Sequence, residues 1–371
     1  MKNLLKGNKV SLVACGLLLS SSFAFGADTI DSAFKDGKVS GSLTAYGISH
    51  DGKGLPSADE GDADSAFGTI NLGYETASYM GVSAKAGFAA GHAMADGNLD
   101  NDALMTEAYI KYANEMFSVT GGRQAVDLEW MGDYHEAVVA AITAIPDTTI
   151  VLGYTNQMAV ADEDEIGDFS GDWNDDGIKD DGAYVVDVKY TGLEGIEFNP
   201  YYYSAPDIAS WYGLKTTFTA DMFGVVAHYA ASNEDVATTD DGSIGHVELN
   251  TSLAGVSAAV GYITTDKDGG TGSMIALGDN ITPFDNGGDS YEIDAKTVYG
   301  SLGYSIAGVD LGALYGETDF GVNSESSELN LTTGYSITDS LSIGLLYVNY
   351  DLEGSSSSDY QEYSATVAYT F

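Results

Sequence analysis

Apolar and polar residues alternate along most of this chain, in runs of about ten residues. Leu249, Thr251 and Leu253 are interleaved with Glu248, Asn250 and Ser252, and Val256, Ala258, Val260 and Tyr262 with Ser257, Ala259 and Gly261. A period of two puts one set on each face of a β-strand. Such runs fall at about 38–50, 65–76, 80–91, 103–113, 116–128, 135–144, 148–158, 182–192, 195–204, 209–220, 223–232, 243–253, 256–265, 292–305, 308–317, 325–336, 340–351 and 359–371. There are about eighteen, each near the length a tilted membrane-crossing strand needs.

The links between runs are sorted by length. Tight turns fall near 76–81, 114–117, 145–148, 192–195, 221–224, 253–256, 306–309 and 337–340, with longer, mostly acidic, Gly- and Ser-containing links between them. A barrel with turns at one end and loops at the other requires that sorting, whereas a soluble sandwich does not. Beyond residue 26 no apolar stretch approaches the length of a membrane helix. A closed barrel, which pairs every backbone polar group, is the remaining way to span lipid. The expected fold is all-β: a transmembrane antiparallel β-barrel of about 18 strands, with short periplasmic turns and long outer loops.

Residues 1–26 read as a cleaved secretory signal. Lys2, Lys6 and Lys9 precede an apolar core from Val10 to Phe25, and Ala24-Phe25-Gly26 offers small residues before a cut at Ala27. Leu12-Val13-Ala14-Cys15 is a competing lipoprotein box, with only a short apolar stretch ahead of it. Residues 27–371 then form a single barrel domain. Cys15 is the one cysteine, so the mature chain has no disulfide and no thiol chemistry.

Composition sharpens this picture. There are 46 Gly, 25 Tyr and 13 Phe against 5 Pro, which suits strands and interfacial aromatic girdles. Charge is extreme, with 56 acidic and 14 basic residues. Loss of the signal removes three lysines and no acid. Nucleic acid is excluded as a partner, because no basic surface exists to meet phosphates. A hydrophobic content of 44% argues against disorder. Strand phases place Glu107, Asp187, Glu197, Glu248, Asp294, Glu328 and Glu362 on the polar face, with Lys85, Lys111, Lys189, Lys215, Lys296 and Arg123. The remaining acid lies in the loops and favours cations at the outer mouth.

Two segments carry specific chemistry. Asp172-Trp173-Asn174-Asp175-Asp176-Gly177-Ile178-Lys179-Asp180-Asp181 sets Asp172, Asn174 and Asp176 at positions one, three and five of a Ca²⁺ loop. Gly177 follows for the sharp turn, and Asp180 takes position nine. Ala183 stands where an EF-hand has its bidentate Glu, so the expected ion is a structural Ca²⁺ in an outer loop. After the fifth strand, Asp127, Glu129 and Asp133 lie in a loop placed to fold inward and form a constriction opposite Arg123. The links at about 159–181 and 266–290 are long enough to fold in as well. His50, His92, His135, His228 and His246 have no metal-ligand spacing, and no nucleophilic set announces itself, so the chain reads as a non-enzyme.

Three pieces carry a family resemblance. One is the mature start, from Asp31-Ser32-Ala33-Phe34 to Gly41. The second is Gly122-Arg123-Gln124 with residues 136–154. The third is the final strand, in which Tyr363, Ala365, Val367, Tyr369 and Phe371 share a face and Tyr369-Thr370-Phe371 closes the chain. The chain resembles Opr-type outer-membrane porins, most of all the major porins of epsilonproteobacteria. The resemblance implies a monomeric or trimeric pore in the bacterial outer membrane, passing small hydrophilic solutes and ions, with Phe371 read by the barrel-assembly machinery. Selective members carry a ladder of pore arginines. Here Arg123 is the single arginine, which argues against anion specificity of that kind. The alternative functions are an outer-membrane adhesin or receptor barrel with little transport role, and a secreted structural protein.

Overall fold

The computed structural model describes residues 26–52, 64–172, 180–353 and 359–371. The signal segment lies outside the described residues up to position 25. One short helix, α1 (Ile30–Lys35), is held by a Thr29–Ser32 capping box and precedes eighteen strands. These are β1 (Lys38–Gly52), β2 (Asp64–Glu75), β3 (Val82–Ala95), β4 (Ala103–Ala113), β5 (Phe117–Ala125), β6 (Tyr134–Ile142), β7 (Thr148–Ala159), β8 (Ala183–Leu193) and β9 (Ile196–Ala205). They continue as β10 (Ala209–Thr219), β11 (Phe223–Glu234), β12 (Ser243–Leu253), β13 (Val256–Thr265), β14 (Lys296–Ile306), β15 (Val309–Phe320), β16 (Ser324–Ser336), β17 (Leu341–Leu352) and β18 (Tyr360–Thr370). Each pairs antiparallel with its neighbours in sequence, and β1 pairs with β18, from Ser42 against Thr370 to Gly52 against Tyr360. The barrel is closed and has no free edge. Among the described residues no helix is long and apolar enough to cross a membrane.

The period of two becomes an inside and an outside. On β10, Trp211, Gly213 and Lys215 face the lumen while Tyr212 and Leu214 face out. The outward surface carries two aromatic belts. Toward the outer end are Tyr154, Tyr184, Tyr202, Tyr212, Tyr229, Tyr262, Tyr315, Tyr347 and Tyr363. Three of these hydroxyls donate to polar groups two residues away, Tyr315 to Glu317 at 2.8 Å, Tyr363 to Gln361 at 2.9 Å and Tyr347 to Asn349 at 3.5 Å. Such rings place an apolar body in lipid and a polar tip at the interface. The opposite belt includes Tyr74, Tyr112, Phe117, Tyr190, Phe218, Phe223, Tyr304, Tyr335 and Tyr369.

The periplasmic turns are as tight as the sequence suggests. Ala254-Gly255 and Ala307-Gly308 link their strands with both residues at positive φ, the twist a two-residue hairpin needs. Three details differ from expectation. The outer links 206–208 and 321–323 are short, turning on residues in the left-handed region, Asp207 in the first and Gly321 and Asn323 in the second. β5 stops at Ala125 because residues 126–133 leave the wall. β14 starts at Lys296, not near 292, and Asp294 lies before it at φ 54°. Lys296 shares the outward face of Val298 and Leu302 and pairs with Asp294 at the rim, so neither belongs to the lumenal wall.

Candidate constriction of the lumen

Two outer links fold into the barrel and lock together. Residues 126–133 form a narrow hairpin: Val126 N–H donates to Asp133 O, and Leu128 and Met131 exchange backbone hydrogen bonds. Asp133 holds the base of the hairpin at φ 62°. The tip projects Glu129 and Trp130 toward β9–β11. Trp130 is fully buried, and its Nε1 donates to Tyr201 Oη at 2.7 Å. That oxygen lies 2.6 Å from His228 Nε2. Both oxygens of Glu129 lie 2.9 Å from Lys215 Nζ, and one lies 3.5 Å from His228 Nδ1.

The second link, 266–295, carries two single-turn 3₁₀ segments, Met274–Leu277 and Gly288–Tyr291. Its apolar residues Met274, Leu277, Ile281, Phe284 and Tyr291 are buried with Trp130, Met131, Tyr203 and Trp211 in one cluster inside the barrel. Hydrogen bonds fix it to three parts of the wall. Ser273 donates through N–H and Oγ to Glu234 and accepts from Trp211 Nε1. Asn286 N–H donates to Glu328 at 3.0 Å, and Tyr350 Oη donates to Asp289 at 2.7 Å. Against the hairpin, Gly132 N–H donates to Leu277 O and Asn280 donates to Leu128 O. Gly278 sits there at φ 121°, where a Cβ would lie 2.8 Å from Gly132 N, so only glycine permits the approach. The link therefore runs from β10–β11 to β16–β17, past the tip of the first hairpin.

Within this link, Tyr291 donates to Asp279 and accepts from Thr282 N–H at 2.9 Å, and burial pushes its phenol well above the ordinary range. The Asp266 carboxylate accepts from the N–H groups of Asp268 and Gly269, which hold its pKa below the usual value. The third long link also turns inward at its start. Ala161 and Ile166 are buried against Ala89 and Leu104 of the opposite wall sector.

Most lumenal charge is paired. Lys85 lies 2.7 Å from Glu107, and His50 lies 3.0 Å from Glu362. Asp187 accepts from Asn199 at 2.9 Å, and Glu248 accepts from Tyr299 at 2.7 Å. The sequence-selected constriction residues are divided. Asp127, Glu129 and Asp133 all lie in the inward hairpin, but the basic partner of Glu129 is Lys215. Arg123 follows Gly122, which stands at φ 124° and interrupts the alternation set by Val119 and Gly121. Its guanidinium stands 4.2 Å from the Phe169 ring centroid, lies 3.5 Å from Glu136 and donates to Met105 O. Strand phase put Lys215 on the polar face but not at the constriction, and His228, Tyr201 and Trp130 were not singled out by the sequence. Their one local signal was an inward phase on strands rich in Tyr and Trp. Of the calcium-loop residues, Asn174 and Asp176 lie outside the described residues. Asp172 and Asp180 lie at its two ends, where Asp180 N–H donates to Gly171 O at 2.7 Å. Among the described residues no group of three or more His, Cys, Asp or Glu could hold a metal.

No protein-family model matches the chain, and no curated protein matches it in sequence. Solved structures do resemble it. Pseudomonas aeruginosa OccK8 (OprE) superposes with a TM-score of 0.76 at 14% identity, over 92% of this chain and 99% of that one. OccK3 (OpdO) of the same organism gives 0.75 at 14%, over 92% and 97%. OpdK, solved with vanillate, gives 0.74 at 14%, over 91% and 99%. The chain has the fold of an Opr-type outer-membrane porin. It shares that architecture along nearly its whole length, with little residue-level likeness to carry over.

Proposed function

We propose that this protein is an outer-membrane diffusion channel for small hydrophilic solutes and ions, with a preference for cations. The observation that carries the reading is the division of the wall. The outside is apolar and belted with aromatics, while the inside carries Lys85, Glu107, Lys111, Asp187, Glu197 and Glu248 around a lumen narrowed by two tethered links. Charged groups at that density suit a water-filled interior. The cation preference rests on pairing. Lys85 and Lys215 are each neutralised by a carboxylate, Arg123 lies beside Glu136, Lys296 faces outward, and the chain's acidic excess stands over the pore. Vanillate is bound by OpdK, an anion for which this wall offers no row of arginines. The resemblance of residues 136–154 to the major porins of epsilonproteobacteria favours general diffusion over a narrow substrate choice.

Conductance of the purified protein in a planar bilayer tests the reading, with reversal potentials under a KCl gradient. The expected result is cation selectivity at 0.1 M salt that fades toward 1 M, as the Debye length falls from about 10 Å to about 3 Å. A folded protein that conducts no ions would overturn the channel, and anion selectivity at low salt would overturn the charge argument.

We propose also that Asp172, Asn174, Asp176 and Asp180 hold a structural Ca²⁺, pinning an acidic link that otherwise repels itself. The bond from Asp180 to Gly171 supports this by bringing the two ends together. Asp176→Ala is expected to abolish a calcium-dependent rise in melting temperature, and an equal rise in variant and parent would rule the site out.

A further inference from the structure

The inward face of β4 carries two buried polar groups that the rest of the protein leaves unanswered. Glu107 is 6% exposed and Tyr109 3%. One oxygen of Glu107 lies 2.7 Å from Lys85 Nζ, but its Oε1 has no hydrogen-bond partner among the described residues, and neither has Tyr109 Oη. Lys111 continues the row and makes no ion pair among the described residues. Residues two apart on a strand share a face at about 6.6 Å spacing. An orphan acceptor, an orphan donor and an unpaired ammonium therefore stand in line down the wall. Buried polar groups are rarely left without a partner, because the hydration they lose is not returned.

Tyr109 and Lys111 border a recess between this wall and the first arm of the inward hairpin. Its polar lining is completed by Ser118 and Thr120 of β5, and its apolar side includes Leu128 of the hairpin and Val151 of β7. Across the ladder a glycine stands opposite each orphan group, Gly87 against Glu107 and Gly122 against Tyr109, so neither has a side chain beside it there. The recess thus lies where the hairpin narrows the lumen, with donors and acceptors on one side and apolar surface on the other.

We propose that this recess is a binding station for small uncharged polyols, sugars among them; the inference rests on the diffusion-channel reading and names a solute class that the channel holds in passing. The class follows from what the row of groups needs. Glu107 Oε1 needs a donor, whereas Tyr109 Oη and Lys111 Nζ bring donors and need acceptors. A hydroxyl is both, and successive hydroxyls of a polyol answer the row group by group. A carboxylate brings no donor for Glu107 and meets its charge. An ammonium brings no acceptor and meets the charges of Lys85 and Lys111. The hydroxyls of Ser118 and Thr120 serve in either sense. Leu128 and Val151 give the C–H face of the solute an apolar surface, the combination usual in small-molecule sites.

D-Glucose is the probe, titrated by calorimetry into the folded protein in detergent. Binding is expected to saturate, and swelling of liposomes as glucose enters through the reconstituted protein is expected to saturate over the same concentration range. Tyr109→Phe keeps the ring and removes the donor, and Lys111→Met keeps the length and removes the charge. Each is expected to weaken glucose binding severalfold, the size of one hydrogen bond. Tyr347→Phe, in the outward tyrosine belt, is expected to bind as the parent does. Heat-modifiable migration checks that each variant has folded. Acetate and methylammonium, each at the concentration of glucose, are expected not to displace it. The proposal is overturned by a folded parent with no saturable glucose binding, by parent-like affinity in both Tyr109→Phe and Lys111→Met, or by displacement with either ion. Saturable binding in a protein that passes neither ions nor glucose would support the station and overturn the channel reading instead.

Discussion

At the residue scale, Glu129 decides the electrostatics of the narrow zone. Its carboxylate spans Lys215 and touches His228, so the one base at the hairpin tip is cancelled. Glu129→Gln leaves Lys215 without its counter-charge. A unit charge at about 4 Å is worth about 1 kcal/mol in a water-like medium, roughly a fivefold change in ion permeability ratio. The variant is therefore expected to shift the reversal potential toward anions by that order, with the single-channel conductance close to that of the parent. An unchanged reversal potential would place the selectivity elsewhere. Trp130 fixes where that carboxylate sits, through its bond to Tyr201 and its burial between the two links.

At the element scale, residues 266–295 act as a strut and not as a free loop. Their apolar side chains share one cluster with Trp130 and Trp211, and their polar anchors reach Glu234, Glu328 and Tyr350 on separate strands. None of these is a ladder hydrogen bond of the barrel. Replacing residues 270–291 by a short Gly-Ser turn is expected to leave a heat-modifiable barrel and to raise single-channel conductance severalfold. Single-channel recordings beside a gel-shift assay check both. A conductance equal to the parent's would show that the strut does not set the narrowest section. The division of labour is physically reasonable, because wall stability comes from closed backbone pairing while the links inside adjust the bore.

At the scale of the whole molecule, closure depends on the last residues meeting the first strand. Phe371 N–H donates to Gly41 O and Gly41 N–H to Phe371 O, and the Phe371 ring packs where Gly41 has no side chain. We propose that the same terminal strand is what the barrel-assembly machinery reads. Deleting Phe371 removes two of the closing bonds and the terminal ring together. The expected outcome is a several-fold loss of heat-modifiable protein in the outer membrane, measured against total protein made. Wild-type assembly of the truncated chain would show that neither closure nor delivery needs the terminal aromatic.

The sequence by itself determined the strands, their number, their inward and outward faces and most of the turns. Alternation is a local signal of period two, and a membrane leaves few ways to satisfy backbone groups, so Leu249-Asn250-Thr251 and Ala254-Gly255 read correctly without any distant residue. It also singled out the hairpin 126–133 and left open that 266–290 folds inward. Only the tertiary structure decided what those links touch. Trp130 meets Tyr201 71 positions away, and Asn280 meets Leu128 152 positions away, contacts set by where the closed wall brings its strands round. One charge assignment failed where the local pattern was itself legible. Lys296 shares the parity of Val298 and Leu302 on β14, so its own strand turns it outward with them. Where a side chain obeys its own strand, the local pattern suffices. Where it answers to a partner across the lumen, only closure of the barrel supplies that partner.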